Sequence, residues 1–164
     1  MIVVADTTPL RYLVVIECEH LLPALYGRVL IPPAVAQELH HDNAPEAVRA
    51  WLAAPPNWLE IRRPTHALRP AVDLDYGEQE AIALAEEVLA DLLLLDEWDA
   101  RVEAERRHLR VVGTLRVLAD GAARGLTNLA DSFARLRQTN FRVNPGLLEA
   151  LMEEHRQRPA GREI

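Results

Sequence analysis

The feature that most constrains the fold is an alternation of very short apolar runs with helical patterns. The runs are rich in β-branched residues or leucine, and they lie at residues 2–5, 29–31, 58–61, 92–95 and 111–112. Runs of this length and composition are typical of strands buried on both faces of a parallel sheet. Because helical segments follow the runs, the sequence predicts an α/β domain with a central parallel sheet covered by helices on both faces.

The helical segments are marked by turn and capping residues. A threonine N-cap and Pro9 near the first helical position are expected to open the first helix after Asp6. Residues 62–75 are punctuated by proline and are predicted to form a loop. Further helices are predicted near residues 21–26, 33–39, 45–53, 77–89, 99–108, 115–123, 129–138 and 146–156.

The length and composition predict one domain. Residues 1–140 are expected to form its main body, and residues 141–164 are expected to add a C-terminal helix and a polar tail. No apolar run reaches the roughly 20 residues that a membrane helix needs, and the N-terminus lacks the pattern of a secretory signal. With Cys18 as the only cysteine, an internal disulfide is excluded. The chain is therefore expected to be cytoplasmic, with no membrane partner.

The charged residues exclude some chemistry and are unevenly distributed. All 18 basic residues are arginine, so a P-loop lysine and a Schiff-base lysine are both impossible. The net charge is −7 overall, but acidic residues dominate residues 1–100 and arginines dominate residues 101–164. This asymmetry suits a cation-filled site beside an arginine-lined surface. The alternative is that arginine is simply the basic residue of this composition.

Four acidic residues are the candidate site. Asp6 and Asp96 each follow a predicted strand, and ligand sites of parallel sheets form beyond the carboxyl ends of the strands. Glu38 and Glu78 lie on helices that are able to reach the same edge. Taken singly, each has a simpler explanation: helix capping for Asp6 and Asp96, a solvated helix face for Glu38, and a favourable helix-dipole position for Glu78.

Taken together, the four acids favour a catalytic metal site. Carboxylates held close together repel one another and must bind protons or a metal. Ligand sets made only of oxygen select hard cations such as Mg²⁺ or Mn²⁺. Such ions support the attack of water on a phosphodiester bond, which requires no serine, cysteine or histidine nucleophile. The sequence therefore predicts hydrolysis without a covalent intermediate.

Four segments, in this order, resemble the PIN-domain family. They are residues 6–10 (DTTPL), 31–39 (IPPAVAQEL), 77–85 (GEQEAIALA) and 94–96 (LLD). The likeness is to VapC-like toxin ribonucleases, in the subgroup with a Gly-Glu motif at the third acidic position. The resemblance implies a three-layer α/β/α PIN fold and an endoribonuclease that depends on Mg²⁺ or Mn²⁺. It also implies the toxin half of a toxin–antitoxin pair, a cognate antitoxin protein that places an arginine in the acidic groove, and a homodimer.

By position, the resemblance makes Asp6, Glu38, Glu78 and Asp96 the metal-binding and catalytic acids. Glu78 stands where many PIN nucleases have aspartate, and Glu80 is a weaker candidate for that place. Further residues are implied to support the ligands (Thr8, Glu97, Asp99) or to contact RNA (Arg101, Arg116). The chain departs from the subgroup at three points: Glu97 replaces an expected aspartate, Arg116 replaces a glycine after the Gly113-Thr114 motif, and Gly121-Ala122 stands where Ala-Lys is expected.

Other interpretations of the same residues remain open. The glutamate substitutions allow a PIN-like binding module that has lost its catalytic activity, and the same sheet edge also suits a phosphatase acting on a small ester. Adjacent His40 and His41 do not face each other on a helix, so a surface position is predicted for them. A cluster of arginines on and after one helix is the candidate phosphate-contacting patch, and a solvated helix face explains it equally well: Arg101, Arg106, Arg107 and Arg110.

Overall fold

A computed structural model describes residues 1–158. Its centre is a five-stranded sheet in which every pairing is parallel, in the order β3-β2-β1-β4-β5. The strands are β1 (Val3–Ala5), β2 (Val29–Ile31), β3 (Leu59–Ile61), β4 (Leu92–Leu94) and β5 (Val111–Val112). The predicted α/β class and parallel sheet are confirmed, and each of the five apolar runs forms a strand.

Helices connect the strands and extend the chain beyond them. They are α1 (Thr7–Val15), α2 (Leu21–Tyr26), α3 (Pro33–His40), α4 (Glu46–Ala53), α5 (Tyr76–Glu87), α6 (Trp98–Arg106), α7 (Thr114–Ala123), α8 (Leu129–Arg137) and α9 (Pro145–Gln157). No helix within residues 1–158 is long and apolar enough to cross a membrane.

The helices form a layer on each face of the sheet. Because side chains alternate along a strand, Val3 and Ala5 face one apolar core while Val4 faces the other. The larger core is filled from α1 to α4 and from α7 to α9, and the smaller from α5 and α6. The predicted three-layer α/β/α architecture is thereby confirmed. Helix α9 packs on α7 and α8 and buries Leu148 and Leu151 in the larger core.

Some predicted boundaries differ from the structure. Helix α1 begins at Thr7, so Asp6 rather than a threonine is its N-cap residue, and Pro9 is its third residue. The Asp6 carboxylate makes no capping hydrogen bond, which leaves it available for another role. Helix α5 ends at Glu87, before the positive φ of 51° at Leu89. The end of the predicted polar tail, residues 159–164, lies outside the described residues.

The strand order creates a crevice beside β1. From β1 the chain moves outward to β2 and β3, and then returns to place β4 on the opposite side of β1. The point where the strand order reverses leaves an opening at the carboxyl ends of the two strands, where ligands of open parallel sheets bind. Asp6 follows β1 directly, and Asp96 comes two residues after β4.

Candidate active site

Asp6 is a buried carboxylate at the end of β1. The backbone N–H of Asp6 donates a hydrogen bond to the Leu94 carbonyl at 2.9 Å, which fixes Asp6 beside the end of β4. Only 3% of Asp6 is exposed, and within residues 1–158 its Oδ1 atom is buried without a hydrogen-bond partner. A buried charged oxygen without a partner is strongly disfavoured, so this atom requires a proton or a cation.

The surroundings of Asp6 favour its protonated form when no cation is present. Burial raises the pKa of Asp6 well above its usual value, and the negative charges of Asp75, Glu38 and Glu78 raise it further. The backbone hydrogen bond from Thr7 opposes this shift. A bound cation would reverse the balance, since it stabilises the charged carboxylate.

Asp96 is held by the Gly113-Thr114 motif. The Thr114 backbone N–H donates to Oδ1 at 2.8 Å, and the Thr114 hydroxyl donates to Oδ2 at 2.6 Å. Burial raises the pKa of Asp96, while the Thr114 hydrogen bonds and the positive charge of Arg101 act in the opposite direction. A Cβ atom at position 113 would lie 2.8 Å from Asp96 Oδ1, so glycine is needed for this close approach.

Glu38 reaches the site from α3. Its carboxylate accepts a hydrogen bond from the Thr7 hydroxyl, and burial raises its pKa despite that bond. A Cβ atom at position 77 would lie 2.6 Å from Glu38 Oε1. The glycine before Glu78 therefore leaves room for the Glu38 carboxylate, which explains the Gly-Glu pair in physical terms.

Glu78 and Asp75 form a capping box at the start of α5. The Glu78 N–H donates to Asp75 Oδ1 at 2.8 Å, and the Asp75 N–H donates to Glu78 Oε2 at 3.1 Å. Burial, followed by the charge of Asp75, raises the pKa of Glu78 to about 7. Glu78 therefore has a structural role at the helix start as well as its place beside Asp6 and Glu38.

The acids open into a groove of about 1050 Å³. Its lining includes Asp6, Glu38 and Asp96 of the predicted set, but not Glu78. Asp75, which the sequence analysis missed, lines the groove instead. The pattern of an aspartate three residues before Glu78 indicates a capping box and was the available clue. Arginines also line the groove: Arg11, Arg101, Arg110, Arg116 and Arg142.

The supporting residues differ in position from one another. Thr8 and Glu97 line the groove, whereas Asp99 is exposed on the first turn of α6 and is not part of that lining. Thr7, rather than Thr8, makes the hydrogen bond to Glu38. The sequence signal for Thr7 was its position: it directly follows Asp6 and is the first residue of α1.

The predicted arginine patch is divided by its ion pairs. Arg106 and Arg107 both bind the buried carboxylate of Glu103 at 2.8 Å. Arg101 and Arg110 line the groove instead, and neither makes an ion pair within residues 1–158.

Arg116 lines the groove but already has acidic partners. Its guanidinium lies 3.3 Å from Glu154 and 3.8 Å from Asp120. An ion-paired arginine attracts an incoming phosphate less strongly than an unpaired one, because the partner carboxylate offsets part of its positive potential. Arg101 and Arg116 therefore differ in the charge that they present to the groove.

Two other residues that the sequence brought into consideration, Glu80 and His41, have local roles. The Glu80 carboxylate accepts a hydrogen bond from the Ala34 N–H at 2.8 Å, in the first turn of α3. His41 is exposed, and its Nδ1 atom accepts a hydrogen bond from the Asn43 N–H at 3.1 Å. Glu80 therefore contributes to holding α3, the helix that carries Glu38, against α5.

The acids have the chemistry of a ligand set for a hard divalent cation. Every donor is a carboxylate oxygen, and none of Asp6, Glu38, Glu78 and Asp96 forms an ion pair within the part of the chain that the structure describes. In the same part of the chain, no three His, Cys, Asp or Glu side chains come close enough together to enclose an ion. The donor atoms and the partnerless Asp6 oxygen thus fit a cation, whereas a closed coordination shell is absent from these residues.

The comparisons with known proteins agree with this geometry. A family model described as a PIN domain matches residues 2–157. The chain belongs to the PIN-domain family. PIN domains are typically nucleases, so the resemblance seen in the sequence is confirmed at the level of the family. Membership of the VapC-like subgroup stays a prediction.

A solved structure has the same fold. A PilT N-terminus domain protein from the hyperthermophilic archaeon Sulfolobus solfataricus P2 is similar to this PIN domain with a TM-score of 0.52 and 17% sequence identity. The match covers 88% of this chain and 100% of that one. No curated protein matches the sequence.

Proposed function

We propose that this PIN-domain protein is a metal-dependent endoribonuclease that hydrolyses RNA phosphodiester bonds. The observation that carries the proposal is the buried Asp6 oxygen at the sheet edge, which has no hydrogen-bond partner within residues 1–158, with Asp96 just after the neighbouring strand and three more acids nearby. A purely structural aspartate would have its carboxylate satisfied by donors. The Asp6 carboxylate instead lies among negative charges, an arrangement that suits a site completed by a cation.

Asp6 and Asp96 would be the principal ligands of Mg²⁺ or Mn²⁺, with Glu38 and Glu78 as further acids of the site. When bound, the cation would activate water and stabilise the charge that develops on the phosphodiester. Thr114 would hold the Asp96 carboxylate in one orientation through its two hydrogen bonds, and Thr7 would do the same for Glu38. Asp75, which lines the groove, is an additional candidate beside them.

The distribution of charge favours RNA over a small phosphate ester. The groove is far larger than one phosphate group needs, and arginines line it together with the acids. Cationic side chains that follow a groove are suited to the repeated phosphates of a nucleic acid. A phosphatase for a small ester would not need so extended a basic surface.

The cellular role that we propose is that of a toxin held inactive by a cognate antitoxin. The VapC-like pattern of motifs supports this role, as does an acidic groove able to receive an arginine side chain from an inhibitor. A homodimer and a cytoplasmic location belong to the same proposal. Comparing RNA cleavage by the chain alone and by the chain mixed with a candidate antitoxin protein would test this role.

A PIN-like binding module without catalytic activity is the second candidate. The observation that favours it is the absence, within residues 1–158, of three ligand side chains at metal-binding distance from one another, together with the use of Glu78 in a capping box. The two candidates differ in their response to metal. An active site should be stabilised against thermal unfolding by Mn²⁺ or Mg²⁺, whereas a module without a metal site should not.

The deciding experiment is cleavage of a mixed RNA pool with Mn²⁺, Mg²⁺ or EDTA. The intact chain is compared with Asp6→Asn and Asp96→Asn, and Glu105→Gln on the exposed side of α6 is the matched control. We expect cleavage that needs metal, is retained by the control and is lost in both site variants. Equal cleavage by the site variants would refute the proposed site, and metal-dependent stabilisation without cleavage of any RNA would favour a more selective nuclease.

A further inference from the structure

One acid of the candidate site, Glu38, lines two cavities rather than one. A second cavity of about 460 Å³ shares Thr7, Arg11 and Glu38 with the main groove. It is bounded by the end of α3, by the residues that follow it and by the start of α5. A nucleic acid strand bound in the main groove would therefore have a second cavity beside Glu38.

Each cavity has an exposed aromatic side chain in its wall. Trp98, the first residue of α6, is 73% exposed and lines the main groove two residues after Asp96. Tyr76, the first residue of α5, is 80% exposed and lines the second cavity beside Asp75. By contrast, the rings of Trp51 and Trp58 pack on each other with centroids 5.8 Å apart. Since exposed aromatic surface is unfavourable in water, the exposure of both rings beside the acids points to a ligand.

One arginine belongs to the walls of both cavities. Arg11 lines the main groove, as Trp98 does, and the second cavity, as Tyr76 does. Within residues 1–158 it forms no ion pair, and its Nε atom is buried without a hydrogen-bond partner. Its guanidinium therefore has no acidic partner among these residues and is suited to bind a phosphate through its N–H donors. A phosphate between two aromatic side chains matches the repeat of a nucleic acid strand, in which phosphates separate successive bases.

From these features we infer that Tyr76 and Trp98 are the residues on which RNA bases stack on either side of the cleaved bond. The inference rests on the proposed function and deepens it by naming two residues that select the substrate. Arg11 holds the backbone between the two stacked bases. In a duplex the faces of the bases are covered by their neighbours, so neither ring can stack without opening the helix. The two aromatic side chains therefore discriminate against double-stranded RNA.

The test measures binding rather than cleavage. The intact chain is titrated in EDTA against a fluorescently labelled 12-nucleotide RNA, both as a single strand and annealed to its complement. We expect Trp98→Ala and Tyr76→Ala each to weaken single-strand binding by roughly 5- to 100-fold, which is the usual range for loss of one base–aromatic stack. Duplex binding should change by less than about twofold. Both phenylalanine variants should retain most of the single-strand affinity, since phenylalanine preserves the stacking face.

The matched control is Val102→Ala, which removes an exposed apolar side chain one turn further along α6 and outside both cavities. A second measurement follows tryptophan emission directly. RNA should quench it in the parent and much less in Trp98→Phe, because Trp51 and Trp58 are packed away from the groove. Single-strand affinities that stay at the parent value in both alanine variants would overturn the inference. So would equal losses for duplex and single strand, or a parent chain that binds neither RNA.

The outcomes also separate this inference from the proposed function. Metal-dependent cleavage that Asp6→Asn abolishes would support the nuclease whether or not the aromatic variants alter binding. Loss of single-strand preference in the aromatic variants would support the stacking whether or not any metal supports cleavage. Failure of one result therefore identifies which of the two statements is wrong.

Discussion

Two buried glutamates on neighbouring helices are in opposite electrostatic states. Glu78 on α5 is 8% exposed, and its pKa is raised to about 7 by burial and by the charge of Asp75. Glu103 on α6 is 2% exposed, yet hydrogen bonds from Arg106, outweighing its burial and aided by Arg107, lower its pKa to about 2. The two residues have the same chemistry and both have little exposed surface, but they differ in their charged partners.

The comparison separates a structural acid from a site acid. Glu103 meets both of its arginines through hydrogen bonds of 2.8 to 3.2 Å, and the network continues from Arg107 to Glu86. Such a network stabilises the fold and leaves no charge unsatisfied. Within residues 1–158, Asp6 and its acidic neighbours lack cationic partners of this kind, so they remain unfavourable until a cation or proton binds. The lack of a cationic partner, more than burial, therefore distinguishes the acids of the candidate site.

The strongest test of this contrast is Asp6→Asn. We expect cleavage to fall by more than about 100-fold, because even the loss of a group that supports a metal ligand costs 10- to 100-fold. In EDTA at pH 8 the same variant should be more stable than the parent by about 1 kcal/mol, because a carboxyl whose pKa is raised by folding destabilises the folded state at high pH, and asparagine does not titrate. Thermal unfolding with and without metal measures the second effect. If Asp6→Asn is less stable than the parent in EDTA, the proposed difference between Asp6 and the ion-paired Glu103 is wrong.

Glu103→Ala should behave in the opposite way. It leaves two arginines without their buried partner, and we expect a loss of about 2–3 kcal/mol in the free energy of unfolding. Cleavage per folded molecule should stay at the parent level, since Glu103 does not line the groove. Urea denaturation measures the loss, and Glu105→Gln on the same helix is the control. A drop in specific activity with unchanged stability would contradict the structural role.

The pH dependence should have opposite signs for the two glutamates. The raised pKa of Glu78 makes the folded state bind the proton more tightly than the unfolded state, so stability in EDTA should fall as pH rises from about 5 to 8, by about 2 kcal/mol. Glu103 has a lowered pKa, so it stabilises the fold at pH values above the pKa that it has in the unfolded chain. It loses that effect only as the pH falls towards 2. Glu78→Gln keeps the capping-box pattern and should flatten the profile between pH 5 and 8. An unchanged profile would exclude Glu78 as the titrating group.

The smallest expected effect concerns the arginines of the groove. Arg101→Gln should lower the slope of log binding constant against log salt concentration by about one, as expected for one lost phosphate contact. Arg116→Gln should change the slope less, because Glu154 and Asp120 already bind that guanidinium. RNA binding measured over a series of salt concentrations compares the two. Equal changes in slope would show that the ion pairs of Arg116 open when RNA binds.

Much of the fold was predictable because its strongest determinants are local. The residues of β1, β2 and β4 are all buried, so they appear in the sequence as uninterrupted apolar runs. Helix boundaries were less predictable from sequence. The N-cap is Asp6 rather than Thr7 because its position depends on where strand β1 ends, not on capping preference.

The residues of the candidate active site were predictable in part. Asp6 and Asp96 follow strands, so their shared edge could be inferred from chain order, and Glu38 was located by its motif. Asp75 was missed because its capping role has a local pattern, whereas its place in the groove depends on tertiary packing. The pairing of Arg116 with Glu154 joins two distant helices and has no local pattern.

The sequence by itself determined that a parallel sheet would form and that two aspartates would lie at its carboxyl edge. Buried strands and their ends are visible as local runs of apolar residues and the residues that follow them. Only the tertiary structure decided which side chains meet there. The contact of Gly77 with Glu38 and the hydrogen bonds of Thr114 to Asp96 join segments that are far apart in the chain. Such contacts depend on distances of a few ångströms, which the packing of helices on the sheet sets and the order of residues does not.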